Sequence, residues 1–207
     1  SDDSTYVTGW LISTQHQSVY VGTTQWIERF DDGALSPALT ILPSGSYFFA
    51  FFLDEGSGTV AAVRQDAKVA IFAPGATSPS YLLSASLSFP HSGCFDREGN
   101  IYVTDPGSGA HVYKFAPGVD AVPADYTAQL SGPEDCVVDQ DDSLWVLNQT
   151  SVTHFPAGNT TPDLHFDLPG VSFPGRIALD LAGNLYVCAT RGDNSPVVQV
   201  FPKGQQN

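Results

Sequence analysis

The stretch Ile177-Ala178-Leu179-Asp180-Leu181-Ala182-Gly183-Asn184-Leu185-Tyr186-Val187 decides the fold. It reads as a strand, a tight reversal and a second strand. The aspartate can bond forward to the backbone, and Gly-Asn tolerates a positive φ, so the chain turns back there. The flanks are apolar on consecutive positions rather than on alternate ones. That pattern fits strands buried on both faces.

The stretch is one member of a repeat, and a fixed period is the first thing a sequence of this kind reveals. Good copies are Cys94-Phe95-Asp96-Arg97-Glu98-Gly99-Asn100-Ile101-Tyr102-Val103 and Val137-Val138-Asp139-Gln140-Asp141-Asp142-Ser143-Leu144-Trp145-Val146. A degraded copy begins at Phe52-Leu53-Asp54, and the faintest runs from Ile12-Ser13-Thr14 into Ser18-Val19-Tyr20-Val21. The aspartate position falls at 14, 54, 96, 139 and 180, in steps of 40, 42, 43 and 41 residues. A second marker keeps the same period: Phe72-Ala73-Pro74-Gly75, Phe115-Ala116-Pro117-Gly118, Phe155-Pro156-Ala157-Gly158 and Phe201-Pro202-Lys203-Gly204, decaying to Phe30-Asp31-Asp32-Gly33 in the first unit.

A unit of about 40 residues holding four short strands is the signature of a β-propeller blade. The expectation is an all-β, five-bladed β-propeller in one domain, with blades at about 1–43, 44–86, 87–131, 132–170 and 171–207. Sequence remains for only three strands in unit five. Its last strand, Val197–Phe201, then has a free edge that invites pairing with another chain, guarded by Pro196, Pro202 and Lys203. A closed ring, with 176–180 packed near 9–13, is the expected arrangement. An arc of a six-bladed ring is the rival.

Pro174-Gly175-Arg176-Ile177-Ala178-Leu179-Asp180, continued by Gly183-Asn184-Leu185-Tyr186-Val187, resembles the NHL-type repeat. Pro90 to Asp96 and Pro133 to Asp139 match it loosely. The resemblance covers about residues 48–204 and implies fold, because members of that family differ in function. Similar propellers include gluconolactonase-like hydrolases and lyases. The expected function is a lectin-like ligand-binding module using the channel mouth or the clefts between blades, and a small-molecule hydrolase, lyase or isomerase with its active site at the mouth is the alternative.

Net charge is −14, with 22 acidic and 8 basic residues spread along the chain. Such a surface repels phosphate backbones, so a nucleic-acid partner is disfavoured. No run of apolar residues is long enough to predict a membrane span. Cys94, Cys136 and Cys188 fall in expected strands, where buried thiols act as small apolar residues, and all are expected reduced. A bridge between Cys94 and Cys136 is the open alternative, since they hold near-equivalent places in adjacent blades. Asn148-Gln149-Thr150 and Asn159-Thr160-Thr161 are glycosylation sequons. With the absence of methionine, they lean the reading toward a processed, secreted protein.

Strand direction sorts the loops. The aspartate turns join strand one to strand two at one end. Segments entering strand one and leaving strand two converge at the other end, on the channel mouth, the default ligand site. Candidate ligand-binding residues there are Arg64, His91, Asp105, Glu134, Asp135, Asn148, Arg176 and Arg191. The arginines suit an anionic or polyhydroxyl ligand, a small molecule or glycan. His91 with Glu134 or Asp135 is the candidate acid–base pair. Asp105, Glu134, Asp135 and Asn148 are oxygen donors of the kind calcium takes, although no spaced calcium loop accompanies them. The aromatic run 47–52 reads as core, and Trp10, Trp26 and Trp145 are candidate sugar-stacking groups better suited to core packing.

Overall fold

Chain reversal at each aspartate builds four antiparallel sheets of four strands and one of three, each in simple sequential order. The computed structural model describes residues 7–13, 16–42, 47–107, 109–122 and 124–204. Blade 1 comprises β1 (Val7–Ser13), β2 (Ser18–Thr23), β3 (Ile27–Asp31) and β4 (Leu39–Ile41). Blade 2 comprises β5 (Phe48–Leu53), β6 (Val60–Arg64), β7 (Val69–Phe72) and β8 (Tyr81–Leu83). Blade 3 holds β9 (Ser92–Phe95), β10 (Ile101–Asp105), β11 (His111–Phe115) and β12 (Ala124–Tyr126). Blade 4 holds β13 (Asp135–Val138), β14 (Leu144–Leu147), β15 (Ser151–Phe155) and β16 (Leu164–Asp167). Blade 5 has β17 (Val171–Leu179), β18 (Leu185–Arg191) and β19 (Pro196–Phe201), the three-stranded sheet that the sequence implies.

The turn chemistry is the expected one with a change of residue. Asp180 Oδ1 accepts from the N–H groups of Ala182 and Asn184, both at 2.9 Å, and Oδ2 accepts from Asn184 Nδ2 at 2.8 Å and Tyr186 Oη at 3.1 Å. Asp96 makes the same pattern, and Asp139 accepts from the Asp141 and Ser143 N–H groups and from Trp145 Nε1 in the place of the tyrosine hydroxyl. Positive φ belongs to the residue before the asparagine, Gly99 at 78° and Gly183 at 82°, and in blade 4 to Asp142 at 60°, before Ser143. Asn184 is held by its hydrogen bonds, not by a left-handed backbone. The reversal expected at Thr14 lies outside the described residues.

Blades stack face to face on apolar clusters. Tyr20 and Ile27 meet Phe51, Ala62 and Phe72, joining blades 1 and 2. Phe52, Val63 and Ile71 meet Ile101, Val103 and Phe115, joining blades 2 and 3. Tyr102, Val112 and Tyr126 meet Leu144, Val146 and Phe155. Trp145, Leu147 and Val152 meet Ile177, Leu185 and Val187. Burying one such side chain contributes about 1.5–3 kcal/mol, more than a typical net hydrogen bond at about 1 kcal/mol. Inter-blade packing is therefore the main source of stability.

Two expectations are corrected. Cys94 and Cys136 form a disulfide across the inner strands of blades 3 and 4, with Cα atoms 5.7 Å apart, and Cys188 alone is free. The thiols sit on facing sheets at inter-blade spacing, which a linear sequence does not display. Among the described residues the ring is also not closed. Inner strands contact one another in the series β1, β5, β9, β13, β17, whereas β17 and β1 make no substantial contact. Among the described residues no apolar cluster joins blade 5 to blade 1. Ring size depends on the angle between neighbouring blades, which the side chains wedged between them set, and a repeat period does not encode that angle.

Two measurements check this account. Gly183→Val places a β-branched residue in a left-handed conformation, and its Cβ meets only the flexible stem of Lys203. The strain should cost about 1–2 kcal/mol, seen as a lowered urea midpoint. Burial pushes the phenols of Tyr102 and Tyr126 up to about 12, with Asp96 adding to the effect on Tyr102 and Tyr102 itself to that on Tyr126. Their contribution to stability should persist below the ordinary tyrosine value of about 10 and be lost as pH rises through about 12. In an ultraviolet phenolate titration, Tyr102→Phe should remove part of that late step.

Candidate functional site

Strand register places the two sets of connections at opposite ends. Ser92 opposes Thr104, Asp135 opposes Leu147, Phe48 opposes Arg64 and Val171 opposes Arg191, so strand-one entrances and strand-two exits share one end. At that end three blades are joined by a polar clamp. Asp135 is buried, and its carboxylate accepts from Ser92 Oγ at 2.7 Å, from the Ile177 N–H at 3.1 Å and from Arg176 Nη1 at 3.4 Å. Arg176 Nη1 also donates to Ser92 Oγ at 2.6 Å. Ser92 belongs to blade 3, Asp135 to blade 4 and Arg176 to blade 5. Burial pushes the Asp135 carboxyl up, while Arg176, Ser92 and the Ile177 N–H pull it back.

Beside the clamp, His91 Nδ1 lies 2.9 Å from Glu134 Oε2 and 3.2 Å from the Glu134 carbonyl oxygen. The His91 side chain is 44% exposed, so this pair faces solvent. Of the candidate residues, His91, Glu134, Asp135 and Arg176 thus come together. Asp135 is committed to the clamp and is not free to accept a proton from a substrate, whereas His91 and Glu134 remain accessible.

The other candidates are engaged elsewhere. Arg64 is buried and grips Asp66 with two bonds of 2.9 and 3.0 Å. Asp105 is buried and accepts from the Ser88 N–H at 2.6 Å and the Phe89 N–H at 3.0 Å, so it positions that loop. Arg191 is exposed at the end of β18. Asn148 is fully buried; its Oδ1 accepts from Ser131 N–H and its Nδ2 donates to Thr153 Oγ1. The folded structure leaves no room for a glycan there, whereas Asn159 is exposed. The oxygen donors Asp105, Glu134, Asp135 and Asn148 are not gathered around one point. Among the described residues no group of His, Cys, Asp and Glu is arranged to hold a metal ion.

A feature of the mouth escaped the residue-by-residue reading. Seven residues before the aspartate stand Tyr47, Phe89 and Phe173 in blades 2, 3 and 5, which are 50%, 53% and 65% exposed. Blade 4 has Gly132 at that place. Phe49 adds a further exposed ring, its centroid 6.2 Å from that of Phe89. The run 47–52 therefore divides: Phe48, Phe51 and Phe52 are core, while Tyr47 and Phe49 are open to solvent. The recurrence was legible in the repeat, since Phe89-Pro90 and Phe173-Pro174 are in register. Trp145 is core and the Trp10 side chain lies outside the described residues.

A recess of about 1680 Å³ opens at the other end, ringed by the aspartate turns of blades 2 to 5.

No protein-family model matches the chain, and no curated protein matches it. Among solved structures it is similar to the WD40 β-propeller domain of Doa1, at 11% identity and a TM-score of 0.75, over 91% of this chain and 62% of that one. It is also similar to a protein of unknown function from Bacteroides caccae, at 12% identity and a TM-score of 0.73, over 95% of this chain and 80% of that one. The chain thus spans about three fifths of the length of the Doa1 domain. Sheet order and these likenesses define the class: a β-propeller of five blades, the last with three strands. At such identity they speak for the fold alone.

Removing the centre of the clamp gives a direct check. Asp135→Ala leaves the Ile177 N–H without its buried acceptor, while Arg176, half exposed, can turn to water. A loss of about 1–3 kcal/mol in urea unfolding is expected, with Asp135→Asn losing less.

Proposed function

We propose that this propeller is a binding module that takes a carbohydrate or similar polyhydroxyl ligand at its channel mouth. The three exposed aromatics at one repeat position, Tyr47, Phe89 and Phe173, carry the reading. An aromatic face offers apolar contact area at little entropic cost, and nearby polar groups fix a ligand's orientation. Here the accessible polar groups are His91, Glu134 and Arg176, the last 47% exposed along its side chain although one nitrogen is engaged. Similar groups on three of the blades suit an extended ligand that makes several weak contacts at once.

Secretion belongs to the same reading. It is supported by the Cys94–Cys136 disulfide, because such bonds persist in oxidising compartments. The resemblance of the repeat to the NHL type belongs to this reading as one of fold. The second reading, a hydrolase or lyase of a small molecule, is supported by the His91–Glu134 pair at 2.9 Å.

Glycan-array screening followed by titration of the best binder separates the two. Phe89→Ala should weaken binding about tenfold, in line with about 1–3 kcal/mol for one stacked aromatic contact, and leave the melting temperature nearly unchanged. An array without binders, or binding indifferent to Phe89→Ala and Phe173→Ala together, overturns the binding reading.

A further inference from the structure

In the second to fifth units the turn is organised around a carboxylate, and its donors recur by position. On Asp96 they are the amide and side chain of Asn100, four residues on, and the hydroxyl of Tyr102, six residues on. A cation from the third strand completes the set, with Lys114 Nζ 3.2 Å from Asp96 Oδ2. Asp180 is served alike by Asn184 and Tyr186. The first unit keeps the donors without the carboxylate. Its sequence has Thr14 at the aspartate position. Ser18 and Tyr20 stand at the positions of Asn100 and Tyr102. Arg29 stands at the position of Lys114, because Tyr20 pairs with Arg29 as Tyr102 pairs with Lys114.

Two of these donors are buried and unsatisfied. Ser18 is 3% exposed, and its hydroxyl has no hydrogen-bond partner among the described residues. Arg29 Nε lies 2.9 Å from Asp31 Oδ1 as an ion pair but without hydrogen-bond geometry. Burying such groups unbonded costs stability, which a ligand that accepts from them returns. Ser18, Tyr20 and Arg29 line a recess of about 250 Å³, bounded on its other side by Ser57 and Gly58 of blade 2. We propose that this recess binds the carboxylate group of a small organic acid, which takes the place of the aspartate that the first unit lacks. A carboxylate offers two acceptor oxygens, and a guanidinium has five N–H donors, so Arg29 can serve Asp31 and a ligand together. Asp31 balances the arginine's charge, and the chain carries −14 overall, so a multiply charged anion such as phosphate is disfavoured. A water's share of the liquid is about 30 Å³, so the space equals about eight waters and suits an acid of a few carbons. The recess lies at the turn end, opposite the mouth, so it is independent of the ligand proposed there.

Amide NMR spectra of the isotope-labelled 207-residue chain, titrated with succinate at constant ionic strength, test the proposal. The amides of Ser18, Tyr20 and Gly58 should shift saturably, while chloride at the same ionic strength moves none of them. Ser18→Ala should weaken succinate about fivefold, the worth of one hydrogen bond, and Arg29→Gln should abolish saturation. Thr14→Asp restores to the first unit the aspartate of the other four. It should raise the melting temperature and remove the succinate response. Circular dichroism confirms that each variant is folded. The absence of a saturable shift in the unaltered chain overturns the proposal. So do shifts produced as strongly by chloride or inorganic phosphate, and so does a succinate response that survives Ser18→Ala and Arg29→Gln together.

Discussion

A blade of this protein cannot bury its own side chains. It is a single twisted sheet about four strands wide, apolar on both faces, and a lone sheet has no layer to cover either one. Burial comes only from the neighbouring blades. Phe72, Phe115 and Phe155 are sealed because a neighbouring sheet lies over each of them. Local hydrogen bonding at the turns supports this arrangement and cannot replace it, being weaker per residue.

The requirement for neighbours has a second consequence at the inner strands. Packing brings the starts of β9, β13 and β17 close enough for Ser92, Asp135 and Arg176 to share one cluster. A buried carboxylate is tolerable only with full hydrogen bonding, and Asp135 obtains it from three blades. The disulfide between Cys94 and Cys136 ties two of the same inner strands. These ties hold blades 3, 4 and 5 together at the mouth, where Phe89 and Phe173 are exposed. Asp105 contributes from inside, because its carboxylate fixes the backbone of Ser88 and Phe89.

Much of this was written in the chain. The period, the strands, the aspartate turns and the three-stranded last blade follow from local chemistry: Asp180 bonds to residues two and four places on, and Gly183 takes the left-handed conformation. Which loops share an end follows from strand direction alone. Tertiary structure decided the rest, because the rest depends on residues far apart in sequence. Only facing sheets bring Cys94 to Cys136, and only three packed blades consume Asp135 while leaving His91 and Glu134 accessible. The split between buried Phe48 and exposed Phe49 arises at a register break in β5, invisible in a run of aromatics. Whether five blades close depends on the angles between them, and an angle is fixed by the volume of side chains packed between two sheets rather than by the order of residues within one.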